Sequence, residues 1–266
     1  MLPLYKVSNP LYSSTQSNFK PITVVLLHGN SQSSVVWKNQ LSSDLFGSMH
    51  LVAMDLPGHG NSPEHHSYSI SDLLIILKQN IEGYERIILV GHSLGGHLAM
   101  ELLPSLTNCI GLFVIGAPPL KRPVNVVEAF KPDSRMGLLF QKDLGPDDIR
   151  SLTEMLGVDK LDISIDFTKV IEQTRPEFRE ALGEALSSGE LANESDILKT
   201  ATIPIALVVG ADDELVNIEY VKQLPIPFLW KGQVQIIEKS GHVPQLDATS
   251  VFNALLLDFI NSVVNE

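Results

Sequence analysis

The stretch RIILVGHSLGGHLAM, residues 86–100, decides the fold. It opens with an apolar, β-branched run and continues through Gly91-His92-Ser93-Leu94-Gly95 into small and apolar residues typical of a helix. In a sharp strand-to-helix turn, the two glycines leave out side chains that would collide, and the serine hydroxyl stands above the sheet. The pattern therefore predicts Ser93 as a nucleophile, and the alternative is a surface serine in a glycine-rich turn.

Strand-like and helix-like segments alternate on both sides of this turn. We predict further strands at 22–27, 51–54, 110–115, 203–209 and 234–237, and helices at 71–81, 94–106, 218–224 and 250–264. Solid apolar runs are typical of parallel strands buried on both faces. The alternation therefore predicts an α/β fold with a mostly parallel central sheet flanked by helices.

The alternation stops between residues 121 and 200, where we find no strand-like run. We predict amphipathic helices beginning near Pro146 and at Thr174, and a polar return to the core at 188–199. The expected organisation is a core of residues 1–120 and 201–266 with a helical cap, 121–200, inserted. Two interpretations of the cap's apolar residues stay open, an acyl-chain pocket or simple packing: Met136, Leu138, Leu139, Phe140, Leu152 and Met155.

A serine hydroxyl needs a base, and histidine suits that role because its pKa lies near neutrality. Of eight histidines, His242 lies in a turn after a late strand and downstream of candidate acids. We interpret four others as loop residues or supports of the site: His28, His59, His92 and His97.

The acid is expected from the loop after the strand that ends at Gly210, which carries Asp212, Asp213 and Glu214. Asp213 is preferred and Asp212 is the alternative. Its role would be to hold the imidazole tautomer and stabilise the imidazolium. Two backbone N–H groups are predicted to hold the oxyanion: that of Leu94 at the helix N-terminus and that of Asn30 in the loop after the first strand.

These motifs together resemble the α/β-hydrolase superfamily over nearly the whole chain. The matching residues are His28-Gly29 with Trp37, the segment 55–62, the serine turn, Gly210-x-x-Asp213 and Gly241-His242-x-Pro244. The resemblance implies a serine hydrolase with a Ser93, Asp213 and His242 triad. It also favours Asp213 over Asp212, because the family acid commonly follows the glycine by three residues.

A narrower similarity is to α/β-hydrolases that open N-acyl homoserine lactones without metal. It rests on residues 28–31, 116–119, Phe130-Lys131 and 229–232. It implies hydrolysis of a lactone ester. Some of those enzymes carry glutamate at the acid position, where this chain has aspartate.

Composition excludes several classes of partner. The formal net charge of -12 disfavours nucleic acid and anionic membrane surfaces.

The single cysteine, Cys109, cannot form an internal disulfide and is expected to be an inert core thiol. No signal-peptide pattern opens the chain, so we expect a cytoplasmic protein. No cofactor is implied, and no metal is expected because residues 59–66 hold the only dense histidine region.

Several functions remain compatible with these residues. The main expectation is cleavage of carboxylic esters or lactones, N-acyl homoserine lactones included, with a small-molecule substrate. General carboxylesterase, carbon–carbon hydrolase, thioesterase or acyltransferase chemistry are the enzymatic alternatives. A ligand receptor on a hydrolase fold is the non-enzymatic one. Serine at position 93 disfavours haloalkane dehalogenase and epoxide hydrolase chemistry, which use a carboxylate nucleophile on this fold.

Overall fold

The central feature of the computed structural model is a single seven-stranded sheet; the structure describes residues 2, 4–7, 22–47, 49–124, 126–161 and 163–264. The strands are β1 (Leu4–Val7), β2 (Ile22–Leu27), β3 (His50–Met54), β4 (Arg86–His92), β5 (Cys109–Ile115), β6 (Ile205–Gly210) and β7 (Gln235–Ile237). Their order is β1-β3-β2-β4-β5-β6-β7. Only β1 runs antiparallel to its neighbour, so the mostly parallel α/β fold is confirmed.

Helices cover both faces of this sheet. They are α1 (Lys38–Leu41), α2 (Ile70–Ile81), α3 (Leu94–Leu102), α4 (Val126–Ala129), α5 (Pro146–Met155), α6 (Phe167–Glu172), α7 (Pro176–Ser188), α8 (Glu194–Thr200), α9 (Ile218–Lys222), α10 (Pro244–Asp247) and α11 (Thr249–Val264). Within its described part, the chain has no helix long and apolar enough to cross a membrane.

The alternation of side chains along β2 divides the core into two halves. Val25 and Leu27 pack with α2 and α3 on one face, whereas Val24 and Leu26 pack with α11 on the other. Successive strand residues point to opposite faces, so an all-apolar strand fills both halves at once. This packing holds the carboxyl ends of the strands as a rigid edge.

Between β5 and β6 the described residues form helices and turns but no strand of the sheet. This segment lies over the carboxyl edge and bonds to it. The Lys131 ammonium donates to the Asp213 carbonyl at 2.5 Å, and the Arg175 N–H donates to the Gly58 carbonyl at 2.8 Å. The division into a core and an inserted cap stays a prediction, which this element order supports.

Several local expectations differ from the structure. The polar segment 188–199 is not only a return to the core, because Asn193 caps the helix α8 that begins at Glu194. Too few of its residues are apolar for a helical period to show. The helix expected at 94–106 ends at Leu102 and continues as a short 3-10 turn. The strand β1 was not expected at all.

Candidate active site

The predicted site residues lie at the point of the sheet where the strand order reverses. The chain proceeds from β2 to β3 on one side and from β4 to β5 on the other, and ligands of open α/β sheets bind at such a point. Asn30 follows β2 and Ser93 follows β4. Both border one cavity of about 220 Å³, which His242 and Leu94 also border.

Ser93 stands on a strained turn between β4 and α3. Its φ of 51° and ψ of -120° lie where side chains are rarely tolerated, at a cost of about 1–3 kcal/mol. Its N–H donates to the Ile115 carbonyl at 2.8 Å, which ties the turn to the neighbouring strand. A side chain at Gly91 would overlap the Gly95 carbonyl, and one at Gly95 would lie 2.5 Å from the Leu27 carbonyl. The expected reason for both glycines is therefore confirmed.

His242 and Asp213 form a buried pair beside this turn. The Nδ1 of His242 lies 2.9 Å from Oδ2 of Asp213, and the two residues are 3% and 1% exposed. The other carboxylate oxygen accepts the N–H groups of Leu215 and Val216 at 2.8 and 3.0 Å. Burial alone would raise the pKa of Asp213, but His242 and these donors outweigh burial and hold it below its usual 3.8. The charged carboxylate thus fixes the proton of His242 on Nδ1.

The opposite nitrogen of that ring is free to accept a proton. Nε2 of His242 is buried and makes no hydrogen bond within the described chain. Because Nδ1 carries the proton toward Asp213, Nε2 presents its lone pair, and His242 and Ser93 border the same cavity. An unpaired buried nitrogen is costly in a protein interior and commonly marks a functional group.

The neighbouring carboxylates do not contact His242. Asp212 is exposed, and its N–H donates to the Ser240 carbonyl at 2.8 Å. Glu214 is also exposed, 3.8 Å from the Arg135 guanidinium. Of the three candidate acids, the structure brings Asp213 alone to the imidazole.

The two proposed oxyanion donors both border the cavity. The backbone N–H groups of Asn30 and Leu94 make no hydrogen bond to any residue that the structure describes. Leu94 opens α3, where the helix dipole favours negative charge. The side chain of Asn30 has a role that the sequence did not indicate: its Nδ2 donates to the Leu139 carbonyl at 2.8 Å and ties this loop to the segment above.

Three buried histidines hold the loops around the site in their neutral form. Nε2 of His28 accepts the Leu56 N–H at 2.9 Å, and Nε2 of His59 accepts the Ser31 N–H at 3.1 Å. His92 lies 2.8 Å from the His242 carbonyl. Burial lowers the pKa of His28 to about 4 and that of His92 to about 3, and places that of His59 well below 6.5. Their interpretation as supports agrees with these contacts.

These histidines predict acid-sensitive stability. Above pH 6.5 they are neutral in both the folded and the unfolded chain; below it, protons bind the unfolded chain first, so stability falls as pH decreases. At about pH 5 His28 and His92 should each reduce the free energy of unfolding by about 2 kcal/mol, and His59 should act in the same direction. Two groups act in the opposite direction: Glu101, with a pKa raised to about 7, and His97.

The expected net result is a loss of a few kcal/mol between about pH 7 and pH 5, measured by urea unfolding at both values. The variant Glu101→Gln removes one opposing contribution and should steepen the dependence. A protein that is more stable at the lower pH would contradict this account.

The cavity wall is apolar except near the turn at Ser93. The segment between β5 and β6 supplies most of it, including Phe130, Met136, Leu139, Phe140, Leu182 and Leu186. The six apolar residues considered for the acyl-chain pocket therefore divide between this cavity and the core. Met136, Leu139 and Phe140 line the cavity, whereas Leu152 and Met155 are buried in the core and Leu138 packs against it.

Sequence reasoning missed a polar group on this wall. His97, expected in a loop or a supporting position, lies on α3 and borders the cavity itself. Its Nδ1 meets the buried carboxylate of Glu194. The four-residue spacing from Ser93 was the available signal, since it places the two on one helix face.

The remaining chemistry-bearing residues lie apart from the cavity. Cys109 is buried, and burial raises the pKa of its thiol to about 11, as expected of an inert core thiol. In the part of the chain that the structure describes, no cluster of three His, Cys, Asp or Glu side chains is placed to hold a metal ion.

Comparison with known proteins gives consistent relatives. A family model described as "Alpha/beta hydrolase family" matches residues 24–255. The pimeloyl-[acyl-carrier protein] methyl ester esterase of Yersinia pseudotuberculosis is 25% identical over 248 residues, 89% of this chain and 92% of that protein.

Solved structures add two neighbours. The N-acyl homoserine lactonase AidH complexed with N-butanoyl homoserine has a TM-score of 0.87 and 26% identity, covering 98% of this chain and 92% of that one. A putative aryl esterase from Burkholderia cenocepacia has a TM-score of 0.78 at 20% identity, covering 99% and 95%, and shows the likeness of fold alone.

Proposed function

This chain belongs to the alpha/beta hydrolase family and is a hydrolase, and from that premise we propose that it cleaves carboxylic esters or lactones through Ser93, His242 and Asp213. The observation that carries the proposal is the orientation of His242. Asp213 binds its Nδ1 at 2.9 Å, and its Nε2 is left buried and without a partner among the described residues, beside the cavity that Ser93 borders.

The first step forms an acyl-enzyme. Nε2 of His242 takes the proton of the Ser93 hydroxyl as its oxygen attacks the scissile carbonyl carbon. The carbonyl oxygen becomes an oxyanion held by the N–H groups of Asn30 and Leu94, each worth roughly 3–4 kcal/mol in such sites. The carbon–oxygen bond to the alcohol then breaks, and His242 returns the proton to the departing oxygen.

The second step releases the acid. His242 takes a proton from water, the hydroxide oxygen attacks the acyl carbon, and the bond to Ser93 breaks as the serine regains its proton. Asp213 stays ionised throughout and stabilises the imidazolium. In a lactone the alcohol remains tethered to the acyl group, so ring opening yields one product.

The finer substrate we propose is an N-acyl homoserine lactone. The resemblance to AidH supports it, and the apolar cavity suits an acyl chain. The methyl ester esterases among the relatives support the broader ester class.

Hydrolysis of a panel of substrates by purified protein tests the proposal. The panel contains p-nitrophenyl esters of increasing chain length and N-acyl homoserine lactones, each measured with and without a chelator, with Ser93→Ala as control. Lactone turnover well above ester turnover, insensitive to chelator and lost in the variant, is the expected result.

Other outcomes of that panel separate the alternatives. Fast ester turnover with lactones untouched would reject the lactonase proposal and leave a general carboxylesterase. Inactivity on both substrate classes would contradict ester and lactone hydrolysis and favour carbon–carbon hydrolase or acyltransferase chemistry. A serine-reactive fluorophosphonate probe that leaves Ser93 unlabelled would contradict the nucleophile.

The cavity also predicts separate effects of two apolar substitutions. Phe140→Ala enlarges the acyl pocket, so kcat/KM should shift toward longer acyl chains between butanoyl and dodecanoyl esters. Met155→Ala is the matched control, because Met155 is 2% exposed and packs in the core. It should lower the free energy of unfolding by about 2–5 kcal/mol without changing chain preference. A chain-length shift in Met155→Ala alone would reverse these assignments.

A further inference from the structure

A carboxylate–histidine pair beside the turn at Ser93 has no part in the mechanism above. His97 lies one helical turn after Ser93, and the backbone N–H of His97 donates to the Ser93 carbonyl at 3.1 Å. Its Nδ1 lies 2.9 and 3.0 Å from the two carboxylate oxygens of Glu194. The side chain of Glu194 is 0% exposed, whereas that of His97 is 16% exposed and borders the cavity.

Glu194 also accepts the Leu120 N–H at 2.7 Å, but that contact does not require a histidine at position 97. A buried ion pair is often no more stable than apolar residues of the same volume, so its presence on an apolar wall calls for a reason. Among the described residues that border the cavity, His97 is the one ionisable side chain besides His242. Because Glu194 binds Nδ1, the ring nitrogen left for a ligand is Nε2.

We propose that His97, held by Glu194, is a specificity-determining residue that donates a hydrogen bond from Nε2 to a second carbonyl oxygen on the acyl side of the substrate. The inference rests on the proposed function, since it takes the scissile carbonyl to lie at Ser93. The substrate class it names is N-acyl amino acid esters and lactones, in preference to plain fatty esters.

The dimensions fit a carbonyl one residue away from the scissile bond. One residue spans at most about 3.6 Å of extended chain. This span and a hydrogen bond of about 2.9 Å together exceed the rise of one helical turn, about 5.4 Å, which separates His97 from the nucleophile along the helix axis. In an α-helix the Cα–Cβ bonds tilt toward the N-terminus, which is the end of α3 next to Ser93.

The charges around His97 favour the donor form. Burial lowers its pKa, but Glu194 and then Glu101 outweigh burial and raise it above 6.5. Burial and Glu194 raise the pKa of Glu101 to about 7, against the Ala192 backbone hydrogen bond, His97 and Arg122. Tyr220, near Glu194, has a pKa raised to about 12 by burial and stays neutral. When His97 is protonated, the imidazolium has one N–H for Glu194 and one for the substrate.

A matched pair of esters tests the proposal: methyl N-hexanoylglycinate and methyl nonanoate, which have equal chain length and differ by the amide. The double variant His97→Leu with Glu194→Leu replaces the pair by apolar residues and avoids a stranded buried carboxylate. Glu194→Gln removes the charge; its amide oxygen can still accept the Leu120 N–H that Glu194 accepts at 2.7 Å, which leaves its N–H₂ facing Nδ1 of His97. His66→Gln, an exposed histidine outside the cavity, is the control.

Wild-type protein and His66→Gln should prefer the amide ester in kcat/KM. The double variant should lose that preference by about 10- to 100-fold, as expected for a hydrogen bond from a charged donor, while still cleaving methyl nonanoate. In the wild-type protein the preference should decline at alkaline pH, where a neutral His97 with its proton on Nδ1 presents only a lone pair at Nε2. In Glu194→Gln the proton of the neutral ring lies on Nε2, so this variant should keep the preference at alkaline pH. A purely structural role would not produce this pH dependence.

Several results would overturn the inference. The first is an equal kcat/KM of the wild-type protein on both esters. The others are a double variant that loses activity equally on both esters, and a double variant that keeps the preference for the amide ester. Failure of the proposed function is distinguishable: Ser93→Ala would then still cleave both esters, or the wild-type protein would cleave neither.

Discussion

Replacing Ser93 by alanine should reduce kcat by about 10⁵–10⁶-fold on any substrate that the wild-type protein turns over. In the proposed mechanism the loss is large because Ser93, His242 and Asp213 would act as one unit, and the remaining rate would come only from the oxyanion donors and substrate binding. Single-turnover and steady-state kinetics would measure it. Ser151→Ala, on α5 and outside the cavity, should leave kcat unchanged.

Stability measurements separate lost chemistry from lost structure. Ser93→Ala keeps the backbone at φ 51° and should melt within a degree or two of the wild-type protein. Ser93→Gly also removes the nucleophile but relieves part of a strain of about 1–3 kcal/mol, so its Tm should rise by a few degrees. If an inactive variant also has a clearly lower Tm than the wild-type protein, the lost rate is explained by misfolding. Near-native turnover in either variant would exclude Ser93 as the nucleophile.

Asp213→Asn should lower kcat by about 10⁴-fold. The asparagine oxygen can still accept the N–H groups of Leu215 and Val216, which leaves its amide N–H₂ facing Nδ1 of His242. Nδ1 would then accept rather than donate, and the imidazole proton would move to Nε2. A protonated Nε2 cannot take the serine proton.

Asp212→Asn is the matched control for that change. Asp212 is exposed and meets the site only through its backbone, so its substitution should alter kcat by less than about twofold, as is usual for surface positions. Measuring kcat of both variants at neutral pH and across a pH series would test the assignment of Asp213 as the acid. A larger loss in Asp212→Asn would mean that the acid has been assigned to the wrong residue.

The sequence was sufficient for the α/β architecture because local patterns dictate it. Continuous apolar runs bury both faces of parallel strands, and Gly91 and Gly95 leave room for backbone in the turn at Ser93. The strand bounds at β2 agree with the prediction to the residue. The chain order of Ser93, the acid loop and His242 was visible for the same reason, since each follows a recognisable strand.

Only the tertiary structure decided which groups touch. Asp212 and Asp213 are adjacent in the chain, and the path of one loop brings Asp213 alone to His242. The pairing of His97 with Glu194 joins residues 97 positions apart, and helix α8, which supplies Glu194, was too short and polar to be predicted. Local pattern reports which face of an element is apolar, whereas contacts between distant elements depend on how loops and insertions pack. That packing is a property of the whole chain, so residues 86–100 could predict a nucleophile but not its surroundings.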